Sequence, residues 1–317
     1  MITSVPLEGP TARAGSDAAE AAALAVSDGG NPVERSVLDA GPFGERVRDN
    51  ALRAAGDPDV VGYLGELHSA ATEVSLPLLE AAGVPHLSFS NTLRTLEGSC
   101  FVNVMPDDER AATAVVAWML ELGVRAPVLV DDGEDYGADM RRLVGRGLAA
   151  ADVAEADAGR PIDAVFLGAV AGRGTVELLE RVHQRAASGP VFGVDGLVTD
   201  GFAKQLPPEI AERLRVVPAA APPEALPADG RAVTERLAER LGHRPDPHAI
   251  YAYEAMSLLL DALAGTGADR AATVARLRST RGRDSVLGRY DIDGRGATTL
   301  PARGRLRIEG GRFASVS

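Results

Sequence analysis

Short apolar runs alternate with longer stretches in which apolar residues recur every three or four positions, through almost the whole chain. Val60 to Leu64 and His86 to Phe89 are runs of the first kind, as expected for strands buried on both faces of a parallel sheet. Between them Val74, Pro77, Leu78 and Ala81 fall at helical spacing, and Gly83 stands where a helix would close. The same reading predicts a first strand near the amino terminus, a helix over Ser16 to Ser27 ended by Gly29-Gly30, a strand over Val33 to Leu38 and an amphipathic helix over Gly44 to Ala55. Pro127 to Val130, Ala164 to Leu167 and Val191 to Gly193 predict strands of a second unit. Ala249 to Leu263 predicts a long apolar helix bounded by Asp246-Pro247 and Gly265. Alternation of this kind predicts an α/β protein with mainly parallel sheets.

The pattern also positions polar residues. Ser69 falls at a strand's carboxyl end and a helix's amino end, and Ser90, Asn91 and Thr92 fall at the same place one unit later. Open α/β sheets bind ligands along that edge. Hydroxyls beside unpaired helix N–H groups make a cradle for a small anion such as a carboxylate. Ser69 could equally serve as a helix cap and Thr92 as a turn residue.

Composition narrows the classes. At 317 residues the chain exceeds one typical domain and suits a pair of α/β lobes. A net charge of −12 argues against nucleic acid, whose binding requires phosphates to be neutralised. No apolar run approaches membrane-spanning length. Cys100 is the only cysteine, so cysteine usage does not report the compartment. Enzyme-like signals fail on spacing: Gly168 to Gly174 is not a dinucleotide loop, Asp131 to Asp139 does not fit a calcium loop, and no nucleophile elbow or metal-ligand histidine pattern appears. No cofactor and no enzyme activity are expected.

Several motifs together resemble the solute-binding proteins of branched-chain amino-acid ABC importers, the type I periplasmic binding proteins of the Leu/Ile/Val kind. They are Gly62-Tyr63-Leu64-Gly65, Ser69 to Thr72, Ala82-Gly83-Val84-Pro85, Ser88 to Thr92, Asn103 to Asp108, Asp135-Tyr136-Gly137, Phe192 to Gly196, Tyr251 to Ala255 and Val286-Leu287-Gly288, all in the family's order. The resemblance spans nearly the whole chain. It implies two Rossmann-like lobes joined by a three-strand hinge, with residues 1–108 and 222–299 forming the lobe that cradles the ligand's head group. Residues 109–221 and 300–317 would form the closing lobe.

Carried over by position, the resemblance implies that Ser69, Ser90, Asn91 and Thr92 hold the charged ends of an amino acid. It implies that Asp195 pairs with the ammonium and that Tyr136 closes over the ligand. Where leucine-binding members place a Trp this chain has Ala14, and where they place a Tyr it has Val170. His68 stands where some relatives have a cysteine. Arg13, Ala14, His68, Phe89 and Val170 are therefore candidates for lining a remodelled side-chain pocket. The expected partners are a small-molecule ligand and ABC permease subunits, and a monomer is expected. Relatives are usually exported, yet no secretory leader precedes the first strand, so the expectation is an extracytoplasmic protein whose leader is absent from this chain. An intracellular sensor of the same fold and a two-lobed α/β enzyme are the competing readings.

Overall fold

The computed structural model describes residues 1–30, 33–156, 161–185 and 188–316. The chain divides into two compact units, residues 1–107 with 223–300 and residues 108–222 with 301–317.

In the first unit, β1 (Ile2–Val5), α1 (Ala12–Gly29), β2 (Ser36–Asp39), α2 (Val47–Gly56), β3 (Tyr63–Leu64), α3 (Ser69–Ala81), β4 (His86–Ser88) and β5 (Phe101–Asn103) follow in order. The strands form a wholly parallel sheet in the order β2-β1-β3-β4-β5. In the second unit come α4 (Asp108–Glu121), β6 (Pro127–Asp131), α5 (Asp135–Ala150), β7 (Ala164–Gly168), α6 (Arg173–Arg185), β8 (Val191–Val194), α7 (Asp200–Gln205), α8 (Pro208–Ala211) and β9 (Leu214–Val217). The chain then returns to the first unit as α9 (Ala228–Leu241), α10 (Ala249–Thr266) and α11 (Arg270–Arg278), and ends in the second as the hairpin β10 (Leu306–Glu309) and β11 (Arg312–Ser315). The second sheet runs β11-β10-β9-β8-β7-β6, parallel from β6 to β9 and antiparallel at the hairpin.

Both faces of the second sheet are covered, which explains its unbroken apolar strands. Along β7, Ala164 and Phe166 join Val115, Met119, Met140 and Val144 on one side. Val165 and Leu167 join Leu179, Ile210 and Leu214 on the other. Trp118 of α4 meets Phe192 of β8 edge to face, with ring centres 5.7 Å apart. In the first unit α1 lies against α10 through small side chains, Ala18, Ala21, Ala22 and Ala25 all being buried. Leu259 of α10 lies over Gly62, where an added Cβ would stand 2.7 Å from its Cδ2.

Three boundaries differ from the sequence expectation. The strand predicted over Val33 to Leu38 is β2, Ser36–Asp39, and α1 begins earlier, at Ala12. Helix α10 runs through Gly265 and ends at Gly267, which has φ +64°. Gly265 serves packing instead, because a Cβ there would come 2.2 Å from Arg276 Nη1. The most informative difference is in α3. Its buried residues are Ala71, Thr72, Ser75, Leu76 and Leu79, whereas Val74 is 41% exposed. Helical spacing is present in both registers, and here the hydroxyl-bearing register faces inward.

Candidate ligand-binding site

In the first unit the turn from β3 into α3 spans residues 65–68 and the segment after β4 spans residues 89–92. Their backbones are tied together. Ser90 Oγ donates to Leu67 O at 2.7 Å, His86 Nε2 bonds Gly65 O at 3.0 Å, and Thr92 N points to Ser69 Oγ at 3.4 Å. Helix α3 begins with Ala71 N and Thr72 N both donating to His68 O. Among the described residues no backbone acceptor meets the amides of Ser69 and Ala70. These amides, the half-buried Ser69 hydroxyl and the Thr92 hydroxyl, which has no partner among the described residues, form one polar edge. Donors of this kind at a helix amino terminus suit a carboxylate.

The remaining candidates in this unit separate into groups. The hydroxyl of Ser90 is 8% exposed and committed to Leu67 O. Asn91, 1% exposed, forms a closed local turn: Nδ2 donates to Leu93 O, Oδ1 accepts from Leu93 N, and its carbonyl accepts from Asn103 Nδ2 at 2.8 Å. Both hold the segment's shape. Phe89 is fully buried, so its ring lies in the core and not on a pocket wall. Arg13 is exposed and donates to Arg244 O at 2.8 Å, while Ala14 beside it is half-buried. His68 Nε2 lies 3.4 Å from Thr11 Oγ1, and partial burial followed by His248 lowers its pKa.

In the second unit, Tyr136 in the first turn of α5 donates its hydroxyl to Asp195 Oδ1 at 2.9 Å. Burial first, then Asp195 and Asp108, push the phenol's pKa well up, so it stays a donor. Asp195 begins a short 3-10 turn directly after β8. The two residues, 59 positions apart, meet because three glycines let backbone approach backbone. A Cβ on Gly168 would stand 2.2 Å from Gly137 O, and one on Gly196 would stand 2.7 Å from Ala169 O and 2.9 Å from Tyr136 Cε1. Val170, 51% exposed, follows β7 and donates its N–H to Asp132 Oδ2 at 3.1 Å.

A sequence profile described as periplasmic binding protein matches residues 3–303. The chain belongs to the periplasmic binding protein family. No curated protein sequence matches it. Among solved structures, an ABC transporter substrate-binding protein from Desulfitobacterium hafniense in complex with Leu superposes with a TM-score of 0.81 at 18% identity, covering 100% of this chain and 99% of that one. A branched-chain amino acid transporter substrate-binding protein from Streptococcus pneumoniae, in complex with isoleucine, gives 0.74 at 17% identity, with 99% of each chain covered. A solute-binding protein from Rhodopseudomonas palustris in complex with benzoate gives 0.72 at 15% identity, covering 100% and 94%. The likeness establishes a type I periplasmic binding protein fold.

Sequence reasoning missed one residue of the first unit. Glu66 lies three positions before Ser69 and is 1% exposed. Its carboxyl accepts from Tyr63 OH at 2.6 Å and Ser4 Oγ at 2.9 Å, and Asn50 Nδ2 donates to the same Ser4 oxygen at 3.1 Å. The signal was present in the inward hydroxyls of α3, since Ser75 also hydrogen-bonds with Glu66.

Proposed function

We propose that this chain is the extracytoplasmic substrate-binding protein of an ABC importer and captures an amino acid or a close analogue. The observation that carries this is the first unit's polar edge, where free helix amides converge with the Ser69 and Thr92 hydroxyls. A ligand carboxylate would dock there. The Tyr136–Asp195 pair of the second unit supplies the opposite requirement, a fixed negative group for an ammonium that would otherwise be costly to desolvate. Hinge closure would bring the second group onto a ligand held by the first, with the closed form stabilised by contacts made only then. The partners would be permease subunits that read the closed form. Relatives that hold Leu and isoleucine support an amino acid as the guest.

A thermal-shift screen tests this, because a ligand that binds only the folded chain stabilises it by about 2.7 kcal/mol at a concentration 100 times its Kd. L-leucine, L-isoleucine, other amino acids and benzoate are the probes. A shift with one or more amino acids and recovery of the ligand unchanged would support the reading. A shift with benzoate but with no amino acid would remove the ammonium from the account and leave a carboxylate receptor. No shift with any of them would sink it.

A further inference from the structure

Glu66 sits in a place where a charged carboxylate would be doubly unfavourable. It is buried in the turn that leads into the polar edge, and its hydrogen-bond partners are neutral: the Tyr63 and Ser4 hydroxyls, and Ser75 from α3. Among the described residues no Lys or Arg forms an ion pair with it. The titratable groups on the surrounding elements do not supply a cation either. Tyr63 on β3 donates to Glu66, and His86 on β4 packs edge to face on Tyr63 and bonds the Gly65 carbonyl. Asp39, at the end of β2, pairs with Arg46. His68, after the turn, faces Thr11 and His248.

An ionised Glu66 would also lie only three residues before Ser69, on the turn that is proposed to present donors to an anion. Two negative groups on one short turn would oppose each other, and a water-free setting makes that opposition stronger.

We propose that Glu66 is a positioning residue that works as a neutral carboxylic acid, bracing the turn of residues 65–69, and that anion binding at the Ser69 edge is thereby linked to the proton it carries. This rests on the reading of that edge as a carboxylate cradle. Protonated, the acid accepts from Ser4 and Tyr63 and donates its own proton to the Ser75 oxygen, whose hydroxyl hydrogen is directed at Thr72 O. Burial raises its pKa to about 8, against which the three hydroxyls pull down only in part. The sign follows from linkage. The folded chain keeps this proton up to about pH 8 while the unfolded chain releases it near 4.5. Stability from this group is therefore greatest in acid, declines as pH rises from 4.5 to 8, and is level above that. A bound anion would raise the acid's pKa further, so binding at alkaline pH takes up a proton.

The test has a ligand-free arm and a ligand arm. Glu66→Gln keeps the shape and both polar ends without the ionisation. In the ligand-free arm, urea unfolding of the full chain between pH 5 and pH 9 should show wild type losing stability relative to E66Q as pH rises. A constant difference overturns the proposal. If E66Q does not fold, infrared spectra of wild type decide it: a protonated-carboxyl band present at pH 7 and lost by pH 9.5 is expected, and its absence at pH 7 overturns the proposal. In the ligand arm L-leucine is the probe, followed by calorimetry in buffers of different ionisation heat. Wild-type affinity should fall relative to E66Q, by up to about tenfold for each pH unit above the acid's own value, with proton uptake seen in wild type alone. Parallel profiles would refute the coupling. Failure of L-leucine to bind either protein at any pH would count against the amino-acid reading, and the ligand-free arm would still decide Glu66.

Discussion

On the proposed reading Asp195 takes a ligand's ammonium and Ser69 its carboxylate, so their removal should not cost the same. Deleting Asp195 would strand an ammonium in a closed site, a loss of about 3–5 kcal/mol. Deleting the Ser69 hydroxyl would remove one hydrogen bond to a charged group, about 1.5–3 kcal/mol, and leave the α3 amides in place. Calorimetry with L-leucine on Asp195→Ala and Ser69→Ala checks this, and equal losses would count against Asp195 as the ammonium's partner. Of the residues singled out from the sequence, those at strand ends with a hydroxyl or carboxyl at hand were legible because their position follows from the strand–helix alternation alone. Ser90 and Asn91 share that position, yet their polar atoms are consumed by Leu67, Leu93 and Asn103. Such commitments depend on partners up to 23 positions away and leave no periodic trace.

At the scale of elements, the register of α3 shows why a pattern of apolar residues can mislead. Val74, Leu78 and Ala81 have the right spacing, but the inward face carries Thr72 and Ser75, whose hydroxyls find partners there: Ser75 at the buried acid Glu66 and Thr72 at the His68 carbonyl. Hydropathy alone ranks those residues as outward. In the second unit the decisive contact is glycine on glycine, where α5 enters beside the end of β7. Gly168→Ala should push α5 off the sheet, costing about 1–3 kcal/mol as overpacking does, and should pull Tyr136 away from Asp195. Denaturant unfolding together with L-leucine titration of G168A measures both effects. A variant as stable as wild type would show that the backbone there yields easily. Gly174, with open space around its Cβ position, is the control, and Gly174→Ala should change little.

Across the whole molecule, buried polar groups set the response to pH and to substitution. His86 is fully buried between Tyr63 and Phe101, and burial drives its imidazole pKa down to about 4 although the bond to Gly65 O works the other way. The unfolded chain takes up a proton near pH 6.5 that the folded chain refuses until about 4, so stability is full above 6.5 and falls as pH drops toward 4. The total is about 3 kcal/mol. The stability gap between wild type and His86→Gln should therefore narrow from pH 7 to pH 4; a constant gap would show that folding leaves the His86 pKa unshifted, and a widening one that His86 is charged when folded. Glu254, 2% exposed, is held by Arg283 Nε at 2.6 Å and by Tyr290 OH at 2.7 Å. Arg283→Met should cost about 3–5 kcal/mol by stranding that carboxylate, while Arg283→Met with Glu254→Leu should recover most of it. Equal instability of the single and double variants, measured by urea unfolding, would argue that the arginine acts through packing alone.

The discontinuity of the units has a consequence for synthesis. A nascent chain that has reached residue 222 already holds every parallel strand of the second sheet and lacks only its closing hairpin. The first sheet is also complete in strands by then, but α10, the helix against which α1 buries its alanines, has not been made. The half begun first thus waits for a helix made only after all the parallel strands of both sheets. Until Thr266 emerges, the alanine face of α1 lacks the helix that covers it.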